Sequence, residues 1–168
     1  MTLSSITTYL GNAPHLGLSA IVLLAFLEAC PGVGLLISGV VLFGVASFLY
    51  IEGLFTMAQI VPCAMLGGFL ADQFGFALGR TLGPGVKQWS IFGRHQERIN
   101  AAEVQISKFG PWAAVVGRFL TMIRSLVPLT LGMAGVHWSR YVLWDLVAVL
   151  VWGAGFVLLL GGVEQLFD

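Results

Sequence analysis

Five ionisable side chains stand inside long apolar runs: Glu28, Asp72, Arg118, Arg124 and Asp145. The chain is 58% apolar and only 10% charged. Charges kept in such surroundings are costly, and by default they mark a functional site. Arg118 and Arg124 lie six positions apart, and Pro128 follows them. A guanidinium offers a planar fork of donors that fits phosphate or carboxylate. Two of them beside a chain break therefore suit an anionic head group. Half-helix N-termini at such a break would add backbone N–H donors. Glu28 precedes Pro31 and Gly32, where the first apolar run is interrupted. Apolar surroundings disfavour a charged carboxylate, so Glu28 is a candidate for proton exchange. Asp72 is a second candidate, for proton coupling or an ion pair. The plainer alternative for all five is a structural ion pair between packed helices.

The elements that would hold these residues follow from run lengths. The first apolar run, 16–51, has 36 residues, against the roughly 20 that one span needs. Its break at 28–34 leaves a 12-residue arm (16–27) and a 19-residue arm (33–51). The first arm is short for a span, which predicts a hairpin that enters the bilayer, turns and leaves on the same side. The run 53–83 is long enough to span. Gly67, Ala71, Gly75, Gly79 and Gly83 recur there at a step of four. A small-residue stripe lets another helix approach closely; the alternative is a smooth wall along a substrate path.

Residues 84–110 are the one polar stretch of any length, with Ile99, Ala102, Ile106 and Phe109 at helical spacing. They predict a short amphipathic helix on the membrane surface. The run 111–136 holds Arg118, Arg124 and Pro128. Two arginines and a proline argue against a simple lipid-facing span and predict a second hairpin, broken near 124–128. Trp112 and Trp138 flank it at the expected interfaces. The run 141–162 is a good span. The order is hairpin, span, polar loop, hairpin, span. That makes an all-α integral membrane protein, a single domain over 1–168, with two inverted repeats. Inverted repeats with broken helices place a transporter's substrate near the midplane.

The net charge of zero hides a pattern. Residues 1–79 carry −3, residues 80–140 carry +6 with all eight basic side chains, and residues 141–168 carry −3. The positive-inside rule puts loop 84–110 in the cytoplasm, which places both termini outside. No basic residue precedes the first apolar run, so a cleaved signal peptide is not expected. Cys30 and Cys63 read as buried free thiols. His15, His95 and His137 lie near segment ends, without metal-site spacing, and no metal or other cofactor is expected. No nucleophile–base pair, phosphate loop or zinc motif appears, so an enzyme is not expected. Nucleic acid is an unsuitable partner, because part of the positive excess lies inside an apolar run. A homo-oligomer is compatible with the sequence.

At these residues the chain resembles the DedA family, also called the SNARE-associated or VTT-domain family, from about residue 16 to residue 162. Glu28-Ala-Cys-Pro31 followed by Gly34-Leu-Leu-Ile-Ser38-Gly39 looks like the family's first hairpin. Asp72, with Phe76, Gly79-Arg80 and Gly83, is similar to the following segment. Phe109-Gly110, Gly117-Arg118-Phe119, Arg124, Pro128 and Gly135 resemble the second hairpin and are the most specific part. Trp152-Gly153 looks like the end motif. Two departures stand out. Ser38 replaces a proline, and Val40 stands where the family commonly has an acid. If that acid helps to couple protons, this chain couples differently, or Asp72 compensates.

The resemblance implies a lipid translocator of the bacterial cytoplasmic membrane. Its expected cargo is undecaprenyl phosphate or a phospholipid such as phosphatidylethanolamine, with protons as a candidate coupling partner. Glu28, Arg118 and Arg124 are the positions carried over from the family. Arg118 and Arg124 would bind the phosphate. Two other readings compete: a proton-coupled antiporter of small ions or solutes, and a non-transporting membrane scaffold.

Overall fold

The first helix, α1 (Pro14–Ala29), starts on a proline and has no preceding side-chain cap. Proline is tolerated there because its missing N–H would have no intrahelical partner. The helix ends where Pro31 forces Cys30 into extended backbone (φ −65°, ψ 131°). Gly32 then takes a left-handed φ of 90°, and a single 3-10 turn follows at Val33–Leu35. The chain returns as α2 (Gly39–Ile51). These assignments come from a computed structural model, which describes residues 13–35, 39–83, 97, 104, 112, 115, 118 and 124–167. The described residues form helices and turns, with no strand among them.

Helix α3 (Met57–Leu82) begins after a turn through Gly53. It therefore starts four residues inside the apolar run 53–83. The Gln59 side chain accepts the Thr56 backbone N–H at 3.0 Å and closes its first turn. Gly83, at φ 57°, ends it. Residues 84–96 and nearly all of the amphipathic stretch 84–110 lie outside the described residues; Glu97 and Val104 are helical and exposed. In the run 111–136, residues 115 and 118 are helical and the chain turns at Arg124–Ser125. Helix α4 (Leu126–Met133) follows. Pro128 thus sits in the first turn of α4, just after the break, where a missing N–H costs nothing. Helix α5 (Trp138–Phe167) starts before Tyr141 and is longer than the run 141–162.

Contacts along α3 give the arrangement. Its N-terminal half meets α1, since Gly67 faces the Val22 carbonyl and Ala25. Further on, Gly75 faces both Pro31, at the tip of the first helix–turn–helix, and Pro128 of α4. Gly79 faces the Leu129 backbone, and Gly132 of α4 faces Phe76. Helix α5 runs antiparallel to α3, with Tyr141 beside Asp72, Gly153 beside Met65 and Gly161 beside Met57. The α1–α2 pair therefore reaches in from one end and α4 runs out to the other. Gly34 packs against Ser125 where the two tips meet.

The small stripe of α3 serves packing at Gly67, Ala71, Gly75 and Gly79, each buried. Gly83 does not belong with them: a Cβ there meets open space, and its left-handed φ stops the helix. None of these glycines lines the large cavity described below. Their spacing sets helix separation, and the prediction is direct. Gly79→Ala places a Cβ onto the Leu129 carbonyl and should cost about 1–3 kcal/mol. Gly44→Ala, with nothing within 4 Å, should be neutral or gain up to about 1 kcal/mol from helix propensity. Thermal unfolding in detergent compares the two.

The helix surfaces face an apolar medium. Met57–Leu82 and Trp138–Gly162 are each long and apolar enough to cross a membrane. Along α5, Leu143, Leu150 and Leu158 are 65%, 62% and 77% exposed. Contiguous exposed leucine of this kind is unstable in water and ordinary in lipid. Cys30 and Cys63 are both free thiols; Cys30 is buried, whereas Cys63 is only half-buried.

Candidate functional site

Five charged side chains meet where the two tips come together. Glu28 is in the last turn of α1, and the bend at Cys30–Pro31 brings it to the tip. Gly39, the first residue of α2, leaves room for its carboxylate: a Cβ there would lie 2.8 Å from Oε1. Glu28 Oε1 accepts from Arg124 Nη1. Arg118 Nη1 donates to Asp72 Oδ2 on α3 and lies 3.5 Å from Asp145 Oδ1 on α5. The Arg118 and Arg124 side chains are only 3% and 9% exposed. In hydrocarbon such charges persist only when paired.

Four further residues complete the cluster. Trp152 on α5 lies beneath both guanidiniums, with its ring centroid 5.6 Å from Arg118 Cζ and 5.8 Å from Arg124 Cζ. The π face offers both cations an attraction without another buried acid. Gln73 Nε2 donates to Asp145 Oδ2 at 2.7 Å, and Trp138 Nε1 donates to Gln73 Oε1 at 3.0 Å. Gly68 leaves space for Arg118: a Cβ there would lie 2.6 Å from Nη2. The sequence names Glu28, Asp72, Arg118 and Arg124, and the fold places all four in one cluster. Asp145 appears in sequence only as an ionisable residue near the start of a span. Gln73, Gly68 and the placement of Trp152 carry no sequence signal, because their roles exist only through contacts across helices.

The pairing leaves donors free. Among the described residues, Arg118 Nε and Nη2 and Arg124 Nε are buried without a partner, as is Glu28 Oε2. A cavity of about 570 Å³ is lined by the same three residues. Its polar floor is Glu28, Arg118 and Arg124, with Trp152 beside it, and its walls are apolar side chains of α2 and α5, including Leu42, Phe43 and Phe156. The rim reaches Leu158 and Leu159, which are exposed on the outer face of α5. The site therefore has a charged inner end and an apolar outer end that meets the surroundings of the helices. A pocket with this polarity suits an amphipathic anion.

Helix length, apolar exposure and a buried charge cluster define an integral membrane protein. The model of the VTT domain matches residues 30–161, and the chain belongs to this family, the DedA family. It is 27% identical to the inner membrane protein YabI of Escherichia coli over 135 residues, 80% of this chain and 53% of that protein. An uncharacterized membrane protein of Mycobacterium leprae is 28% identical over 127 residues, 74% of this chain and 54% of the relative. One from Mycobacterium tuberculosis is 27% identical over 106 residues, 61% of this chain and 46% of the relative. The chain spans about half the length of these curated relatives. No solved structure matches it.

Proposed function

We propose that this protein moves a phosphate-bearing lipid between the leaflets of a bacterial cytoplasmic membrane. The observation that carries this reading is the cavity. It joins the guanidinium-bearing side chains of Arg118 and Arg124 to an apolar rim on the outer face of α5. A phosphate fits the first and the root of an acyl or prenyl chain fits the second. The rest of the chain stays in lipid, so no wide pore is required. Undecaprenyl phosphate and phosphatidylethanolamine are the two cargoes to compare.

In this reading the two tips are re-entrant. They enter from opposite leaflets and meet near the midplane, which gives the head group a site reachable from both sides. Exposed Arg80 and Arg140 mark one end of the α3–α5 pair and assign that end to the cytoplasm. Both termini then lie outside. A C-terminal reporter active only in the cytoplasm would overturn this topology.

Purified protein in liposomes tests the transport reading. Labelled undecaprenyl phosphate and labelled phosphatidylethanolamine are each followed across the bilayer. Arg118→Ala is expected to slow translocation at least about tenfold, since a charge-assisted hydrogen bond contributes about 1.5–3 kcal/mol. Undiminished translocation by Arg118→Ala sinks the phosphate site. Solute flux driven by a pH gradient, without lipid translocation, would point to an antiporter instead.

A further inference from the structure

We propose that Asp72 and Asp145 form a proton-binding site, sharing one proton across Arg118; the two aspartates lie outside the head-group cavity but share Arg118 with it. The charge count of the cluster is the starting point. Three carboxyls, Glu28, Asp72 and Asp145, meet two guanidiniums, Arg118 and Arg124. Arginine stays charged in proteins. If every acid were ionised, one negative charge would remain buried among apolar helices, and a buried group in that position neutralises itself instead.

The pairing locates the excess. Glu28 faces Arg124 one to one. Asp72 and Asp145 both face a single nitrogen, Nη1 of Arg118. Two carboxylates that share one cation at short range repel each other, and a proton held between them removes that repulsion. Each neighbouring element has its charged or titratable group accounted for. Arg118 comes from the run before the second tip, and Arg124 comes from the tip itself. Tyr141 on α5 donates to the Asp72 backbone carbonyl at 3.2 Å, and Glu28 on α1 lies beyond Arg124.

Hydrogen-bond direction narrows the position further. An indole N–H can only donate. Trp138 therefore fixes the Gln73 amide with its oxygen outward and its NH₂ toward Asp145. Asp145 Oδ2 must accept, so the proton sits on Asp145 Oδ1 or on Asp72, on the side of Arg118. A second, small cavity opens here, lined by Asp72, Asp145, Arg118, Arg124 and Tyr141. Its volume of about 10 Å³ is at the lower limit for a single water.

One consequence rests on the lipid reading above. A phosphate that takes up Arg118 withdraws the cation that both aspartates face. Anion binding and proton binding are thereby linked. The proton site itself does not depend on that reading.

The test uses neither lipid cargo nor transport. Infrared titration of the full chain in nanodiscs follows the C=O stretch of a protonated carboxylic acid. The parent should show a buried band that persists at neutral pH. Asp145→Asn and Asp72→Asn should each abolish it, because the remaining acids then equal the arginines in number. Gln73→Leu keeps every carboxyl, so it informs even if the aspartate variants fold poorly. It should keep the band and move its pH midpoint by about one unit. No such band in the parent, a band that survives Asp145→Asn, or an unmoved midpoint in Gln73→Leu overturns the proposal. If the band behaves as expected while Arg118→Ala still translocates lipid, the lipid reading fails and the proton site stands.

Discussion

Glu28→Gln and Arg124→Gln are each expected to destabilise the protein by about 3–5 kcal/mol, because each leaves a buried charge without its partner. The two side chains are joined directly and are nearly excluded from the surface. The double variant Glu28→Gln/Arg124→Gln removes both charges together and should recover most of the loss. Thermal unfolding in detergent measures all three. Translocation should not recover with stability. The double variant lacks one of the two guanidiniums on the cavity floor, so it should remain at least about tenfold slower than the parent. A double variant that is both stable and fully active would make this pair a structural brace and nothing more.

Gly155→Phe should block translocation with little effect on folding. Gly155 lines the cavity, and a Cβ there meets nothing within 4 Å. A side chain there starts in open space, and an aromatic ring would extend into the cavity where a lipid would enter. A steric block of this kind should lower translocation by more than about tenfold. Gly44→Phe is the matched control. Its position is equally open, but it does not line the cavity. If Gly155→Phe and Gly44→Phe translocate lipid alike, the cavity is not the route. The pair complements the Glu28/Arg124 series, since it perturbs access and leaves every charge in place.

The break after α1 was legible because Pro and Gly breaks are local properties. Pro31 and Gly32 end α1 within two residues of Ala29 whatever packs nearby. Boundaries were less legible where a turn uses apolar residues. Gly53 to Phe55 belong to the run 53–83 by composition, yet they turn the chain before α3. The stripe on α3 was legible as spacing but not as four contacts and one stop. Gly79 and Gly83 share the step of four, but Gly79 meets the backbone of α4 whereas Gly83 takes a left-handed φ and ends the helix.

By itself, the sequence pointed to five ionisable residues buried among apolar helices, and it named four of them, Glu28, Asp72, Arg118 and Arg124, as candidates for one site. Burial follows from the cost of leaving so few charges alone in such long apolar runs. Only the tertiary structure decided the partners. Glu28 goes with Arg124, and Asp72 with Asp145 across Arg118. Pairing depends on where helices distant in sequence approach, and that approach is set by packing at Gly67, Gly68, Gly75 and Gly79. The same packing placed Trp152 under both arginines and left a cavity beside them. Charge was a property of the chain; its distribution into one balanced pair and one shared cation was a property of the fold.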